Sequence, residues 1–167
     1  ELKEAELSTR KAIELNPKYA EAYSNLGSIL IDLSKLQEAE TSTRKAIELN
    51  PGFVDAHLNL GSILIDLGQL KEAETSTRKA IELNPNFADA HSNLGAILKK
   101  QGNVEQAEIF MRKAIELNPN LGEAYINLAN ILRENYKLDE ALYNFKKAEK
   151  CNIDPKIILA GIGRILL

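Results

Sequence analysis

The sequence predicts an all-α chain, an α-solenoid of antiparallel helix pairs, on three observations: an unbroken repeat, helical spacing of apolar residues within it, and regularly placed helix breakers. The repeat is a 34-residue unit whose longest verbatim copy, 38–51 against 72–85, is identical at all fourteen positions. Periods of roughly 20–50 residues mark stacked supersecondary units, none of which buries its apolar face alone. Apolar spacings of three and four then make a stripe on one side of a helix, and no run alternates apolar and polar residues as a half-buried strand would.

Taken in chain order, residues 1–19 are the second half of a unit, since EAELSTRKAIELNP at 4–17 differs from the later copies only at Leu7. Full units follow at 20–53, 54–87, 88–121 and 122–155. In the first of these, Ala22, Leu26, Ile29, Leu30 and Leu33 form the stripe of a first helix. Ala39, Ala46, Ile47 and Leu49 form that of a second. The break between them is marked by Ser34, and by Gly68 and Gly102 in the next two units. Asn50-Pro51, Asn84-Pro85 and Asn118-Pro119 end the second helices, because proline lacks an amide donor and disfavours α geometry in the residue before it. The fourth unit departs, with Leu128-Ala129 in place of Leu-Gly and Pro155 two residues late. Residues 156–167, KIILAGIGRILL, match the start of a fifth unit and carry only two charges. Natural arrays usually end in polar capping repeats, so the chain reads as an excised fragment.

The large residue at Tyr23, His57, His91 and Tyr125, the Leu-Gly pairs 26–27, 60–61 and 94–95, the alanines 39/46, 73/80, 107/114 and 141/148, and the closing prolines 51, 85 and 119 recur at fixed offsets. A unit so built resembles the tetratricopeptide repeat. The resemblance covers all 167 residues and implies a right-handed superhelix of antiparallel helix pairs, a right-handed α-solenoid. Short residues at the Gly and Ala positions are needed where backbones approach. Thr43 and Thr77 stand where an aromatic is common in the family, with Met111 and Phe145 in the later units, which predicts less apolar volume in the earlier hairpins. The string at 87–108 with its unbroken asparagines is closer in style to the superhelical substrate-recruiting arm of O-GlcNAc transferase and to bacterial proteins of the family.

Composition narrows the function classes. A net charge of −3 with 27% charged residues gives no field that would gather nucleic acid. No stretch approaches the roughly 18 apolar residues of a membrane span. A cytoplasmic location is expected. Cys151 is the only cysteine, in the place of Leu49, Leu83 and Leu117, and reads as a small buried hydrophobe rather than a reactive thiol. His57 and His91 occupy the packing position held elsewhere by Tyr23 and Tyr125, with no repeated partner for metal or acid-base work. Gly161-Ile-Gly163 lacks the rest of a dinucleotide fingerprint. No catalytic, cofactor or metal site is expected. Charges on the second helices, such as Glu40, Arg44 and Glu48, read as intrahelical pairs worth a few tenths of a kcal/mol.

Opposite its core stripe, each first helix carries a polar face: Glu21, Asn25, Ser28 and Asp32; Asp55, Asn59, Ser62 and Asp66; Asp89, Asn93, Ala96 and Lys100, with Lys99 beside it; and Glu123, Asn127, Asn130 and Glu134, with Arg133 beside it. In the tetratricopeptide family these helices line the concave groove. The resemblance therefore implies an asparagine ladder, Asn25, Asn59, Asn93 and Asn127, along its floor, whose amides offer both donors and an acceptor to an extended peptide. The same asparagines could instead hold a neighbouring hairpin. Glu21, Asp55, Asp89 and Glu123 lie in first turns, where the helix dipole favours a carboxylate with or without a ligand. With Asp32 and Asp66 they make the first half of the groove acidic, suited to a peptide with Lys or Arg, while Lys99, Lys100 and Arg133 make the second half mixed. The family's clamp for acidic carboxyl-terminal tails needs lysines and an arginine in the groove beside asparagines, and the corresponding places here hold Ser24, Asp89 and Asn93.

The expected function is a non-enzymatic protein-protein interaction scaffold that binds a peptide or partner protein in its concave groove. Alternatives are a substrate-recruiting arm of a larger enzyme, such as a glycosyltransferase or sulfotransferase, and an assembly element stacking through its ends. For the last, Ile158, Leu159, Ile162 and Leu166 predict an apolar stripe matched by Leu2, Ala5, Ala12 and Ile13, so that 156–167 of one copy would meet 1–19 of the next.

Overall fold

The computed structural model describes residues 1–151 and 153–166, with Leu166 described by its backbone alone; the Leu166 side chain of the expected stripe lies outside the described residues, as does Leu167. Ten helices and no strand occur among the described residues, an all-α helical solenoid in class. They fall into two compact units, 1–85 and 86–167. The first holds α1 (Leu2–Leu15), α2 (Ala20–Asp32), α3 (Leu36–Leu49), α4 (Val54–Asp66) and α5 (Leu70–Leu83). In it α2 and α3 form a hairpin, as do α4 and α5; α1 packs on α2, α3 on α4, and the first helices α2 and α4 also touch. The second holds α6 (Ala88–Lys100), α7 (Val104–Leu117), α8 (Gly122–Glu134), α9 (Leu138–Glu149) and α10 (Pro155–Leu166). There α6/α7 and α8/α9 are the hairpins, α7 packs on α8, α10 packs on α9, and α8 touches both α6 and α10.

Each hairpin turns on one residue in the left-handed region. Gly68 (φ 75°) and Gly102 (φ 85°) take it at no steric cost, whereas Ser34 (φ 58°) and Tyr136 (φ 59°) take it against their Cβ atoms. Tyr136 is the turn residue of the fourth hairpin and carries no sequence mark of that role. The Asn-Pro stops do more than interrupt a helix. Asn16, Asn50 and Asn118 use Oδ1 to accept the backbone N–H two residues on, at 3.2, 3.1 and 3.0 Å, which holds the chain for the next helix. The fourth unit ends otherwise. Helix α9 stops at Glu149, Asp154 Oδ1 accepts the Lys156 N–H at 2.9 Å, and Pro155 opens α10 as its first residue. Cys151 is consequently not the helical counterpart of Leu117. It lies half-buried in a turn beside Ile153 and the Tyr125–Phe145 cluster, its thiol 3.4 Å from the Lys147 carbonyl.

Helix pairs close over a small residue. A Cβ at Gly27 or Gly61 would collide with the Thr43 or Thr77 hydroxyl, and one at Gly95 would meet Met111 Cε at 2.9 Å. In the fourth hairpin Ala129 takes the glycine's place, and Phe145 lies against Gly161 of α10. All of Thr43, Thr77, Met111 and Phe145 are fully buried, so the expected gain in apolar volume along the chain is present. The two threonine hydroxyls are buried with no hydrogen-bond partner among the described residues. The histidines are buried as packing residues: His57 Nε2 lies 2.9 Å from the Pro51 carbonyl, and the His91 ring stacks on Phe110 at 5.9 Å.

On the second-helix side, ion pairs run further than the intrahelical pairing expected from sequence. Arg10, Arg44 and Arg112 each bind the glutamate one turn back, at Glu6, Glu40 and Glu108. Each also reaches the next second helix, at Glu38, Glu72 and Glu140. Lys35 and Lys137 add a second cation to Glu6 and Glu108. Hydrogen bonds from Lys35 and Arg10 hold the Glu6 carboxyl below its ordinary value. At Glu108 burial pushes upward, but hydrogen bonds from Arg112 and Lys137 outweigh it and the net shift is down.

Two outcomes follow from this packing. Replacing an unsatisfied buried hydroxyl with a methyl removes a desolvation cost of about 1–3 kcal/mol, so Thr43→Val and Thr77→Val should each raise the melting temperature, while Gly61→Ala should lower it by forcing the hairpin open. Because the folded pKa of Glu108 is depressed, its contribution is complete above the unfolded value of about 4.3 and is lost as pH falls through the folded one. Glu108→Gln should therefore destabilise the chain at pH 7, and its deficit relative to the parent should shrink below about pH 4 in denaturation curves taken across pH.

Candidate interaction surface

In the first unit, α2 and α4 place Glu21, Asn25, Ser28 and Asp32 beside Asp55, Asn59, Ser62 and Asp66 on the side away from the α2–α3 and α4–α5 hairpin contacts. That order follows from helical spacing: Ala22, Leu26 and Leu30, and Ala56, Leu60 and Leu64, are buried, whereas Glu21, Asn25, Asp32, Asp55 and Asp66 are exposed or half-exposed. Asn59 is half-buried and donates from Nδ2 to Ser28 Oγ at 2.9 Å, so this ladder member ties α4 to α2. The Ser28 and Ser62 hydroxyls also donate to the carbonyls one turn back, Ser24 at 3.4 Å and Leu58 at 3.3 Å. Among the described residues none of Glu21, Asp32, Asp55 and Asp66 forms an ion pair, in contrast to Glu6, Glu38, Glu40 and Glu72 on the second helices of the same unit.

The second unit is differently charged. Asp89 and Glu123 are exposed at the starts of α6 and α8. Lys99 is not free for a ligand in the way its sequence position implies, because its Nζ donates to Glu134 Oε1 at 2.8 Å and joins α6 to α8. Arg133 is half-buried, and its covered Nη1 has no hydrogen-bond partner among the described residues. Asn93 and Asn127 are half-buried. The position that is Ser28 opposite Asn59 is Ala96 opposite Asn127, so Asn127 has no hydroxyl there to donate to.

A second kind of concavity, not anticipated from sequence, lies on the side of the second helices. In the second unit a cleft of about 670 Å³ is lined by Tyr125 and Leu128 from α8, Ile115 from α7, and Tyr143, Asn144 and Lys147 from α9. In the first unit a cleft of about 490 Å³ repeats it, with His57 and Leu60 from α4, Ile47 from α3, and Thr75, Ser76 and Lys79 from α5. The signal for it was the recurring large residue at 57 and 125, which lines the cleft in each unit. Tyr143 is 58% exposed there, under the Lys147 ammonium at 5.3 Å from its ring centroid. Among the described residues no group of three His, Cys, Asp or Glu side chains could hold a metal ion, and no helix is long and apolar enough to cross a membrane.

Family profiles match along most of the chain. Those described as tetratricopeptide repeat match residues 20–53, 88–121, and 43–75 with 110–143, and one described as TPR repeat matches 61–102. No curated protein matches the sequence. Among solved structures, the chain is similar to MamA, at 26% identity over 90% of this chain and 88% of that one, with a TM-score of 0.76. It is similar to YrrB, described as a TPR protein with an unusual peptide-binding site, at 27% identity, 94% and 81% coverage and a TM-score of 0.73. A thermophilic TPR protein of Thermus thermophilus shares the fold, at 22% identity, 99% and 91% coverage and a TM-score of 0.85.

Proposed function

The chain belongs to the tetratricopeptide repeat family, and on that premise we propose that it is a protein-interaction scaffold whose first unit binds an extended, basic peptide across the polar face of α2 and α4. The supporting observation is the contrast between the two sides of that unit. On the second helices the glutamates at 6, 38, 40 and 72 are bound by Arg10, Arg44 and Lys35. Among the described residues, Glu21, Asp32, Asp55 and Asp66 on the first helices carry no ion pair, and all four are exposed. Four like charges gathered on one face repel one another, and a ligand bearing Lys or Arg relieves that repulsion. Asn25 is exposed and supplies two donors and an acceptor for a peptide backbone; Asn59, held by Ser28, keeps its carbonyl oxygen for that use. The similarity to YrrB, whose description names peptide binding, supports the same reading.

A titration of the chain with a lysine- and arginine-bearing decapeptide, and with an acidic peptide of equal length, tests this. The basic peptide should bind and should weaken as salt rises to physiological strength, where exposed charges are screened beyond about 8 Å. Replacing Asp55 and Asp66 together with Asn should weaken it by about two- to thirtyfold, as expected for two exposed pairs of about 0.2–1 kcal/mol each. Asn25→Ala should lower affinity without changing the melting temperature, whereas Asn59→Ala should also cost about 0.5–1.5 kcal/mol of stability through the lost bond to Ser28. Preference for the acidic peptide, or affinity indifferent to salt, would refute the assignment.

A further inference from the structure

Independently of the peptide reading of the first unit, the second-unit cleft lacks two groups that the repeat supplies elsewhere. All its walls belong to α7, α8 and α9. The first missing group is an aromatic ring. In the third repeat Phe110 of α7 stacks on His91, with ring centroids 5.9 Å apart. Tyr125 is the counterpart of His91 one repeat on, but the counterpart of Phe110 is Asn144, as it is Ser76 in the first-unit cleft. Both small residues are turned to backbone. The Ser76 hydroxyl donates to the His57 carbonyl at 2.9 Å, and Asn144 Nδ2 donates to the Glu140 carbonyl at 2.8 Å. The place of the ring beside Tyr125 is thus left to the cleft, next to the exposed ring of Tyr143.

The second missing group is a carboxylate. Lys45, Lys79 and Lys113 bind the glutamate one turn on, Glu48, Glu82 and Glu116, at 2.7, 2.7 and 2.8 Å. Lys147 is their counterpart in α9, but Lys150 stands where that glutamate would be. Among the described residues Lys147 has no ion pair, and its ammonium rests over the Tyr143 ring, 5.3 Å from the centroid. Most other charges lining the cleft are matched within the chain, Arg112 with Glu108 and Glu140, and Glu116 with Lys113. Asp139 is the exception among the described residues. It lies in the first turn of α9, about 12 Å along the helix from Lys147.

We propose that this cleft takes an aromatic side chain of a partner peptide whose neighbouring residue carries a carboxylate. The ring enters beside Tyr125, among Ile115, Leu128 and Tyr143, as Phe110 lies on His91, and the carboxylate meets the Lys147 ammonium as Glu116 meets Lys113. A volume of about 670 Å³ holds such a side chain with the backbone on either side of it. Aromatic anchors in apolar pockets carry most of the energy of small interfaces, and a rim charge sets their orientation. The first-unit cleft does not offer the same site. Thr75 stands there in the place of Tyr143, and Lys79 is already bound to Glu82.

An NMR titration of the isotope-labelled 167-residue chain with the acetylated, amidated hexapeptide GSFDSG tests this, with GSLDSG and GSFNSG as controls. GSFDSG should shift resonances of Ile115, Tyr125, Leu128 and Tyr143. GSLDSG should bind at least about fivefold more weakly, and GSFNSG about two- to fivefold, the range of an exposed ion pair. Asn144→Phe gives α9 the ring that α7 has, and should weaken GSFDSG by about tenfold or more without lowering the melting temperature. Lys150→Glu, at an exposed position, restores the intrahelical partner of Lys147. It should abolish the preference for GSFDSG over GSFNSG while keeping that for Phe over Leu. Equal binding of GSFDSG and GSLDSG, shifts confined to α2 and α4, no binding at millimolar peptide, or a folded Asn144→Phe chain that binds as the parent does would each overturn the proposal. Should Asn144→Phe fail to fold, Lys150→Glu decides, and an undiminished preference for GSFDSG over GSFNSG in that variant overturns it.

Discussion

Close approach of two helices over one small residue is the constraint on which the rest of the structure depends. At Gly27 and Gly61 the second helix comes so near that its threonine occupies the space a Cβ would need. The distance between helices then fixes which side chains reach across them. Arginine at 44 reaches glutamate at 72, and asparagine at 59 reaches serine at 28, only because consecutive hairpins repeat at constant spacing. A side chain too large at the glycine would change every one of those distances at once. The fourth hairpin shows how a larger pair is accommodated: Ala129 and Phe145 replace Gly and Thr, and the phenyl ring finds its clearance at Gly161 of the following helix.

Charge is sorted between the two sides of the hairpins. Most glutamates on the second helices are paired with a cation of the chain, some with two each, as at Glu6 and Glu108. Exposed pairs of this kind add little singly, but a cation shared between two glutamates on successive helices couples neighbours. In the first unit the acids of the first helices have no such partners. A surface whose charge is balanced within the chain offers a visiting ligand little electrostatic gain, and one left unbalanced offers it a field.

Most of the fold was legible in the sequence, because a 34-residue period with apolar residues at three and four allows few arrangements. First helices start at Ala20, Val54, Ala88 and Gly122, one period apart. What escaped was local. Tyr136 supplies the left-handed turn of the fourth hairpin although nothing in its chemistry favours that conformation, since position in the hairpin overrode residue preference there. The early stop of α9 and the displacement of Cys151 into a turn came from an irregular stretch where the repeat could not guide the reading. Surface detail was less legible than backbone. Sequence places Asn59, Lys99 and Arg133 on one kind of face, but the Asn59–Ser28 and Lys99–Glu134 bonds depend on which residue stands one hairpin away. The clefts over His57 and Tyr125 arise from the gap between successive second helices, a property of packing that no single unit contains.

The near-identity of α3 and α5 bears on how the chain finds its native pairing. LQEAETSTRKAIEL and LKEAETSTRKAIEL differ at one position, so α2 would find on α5 almost the same surface that it finds on α3. Complementarity barely discriminates between the correct partner and its neighbour one unit along. Discrimination falls to connectivity: the few residues joining α2 to α3 bring that pair together long before a loop spanning a whole hairpin could close. Ser34 and Gly68 thus act as kinetic gatekeepers. Lengthening either turn would open a route to exchanged hairpins, within one molecule or between two, in which every local contact is native and only the order of the helices is wrong.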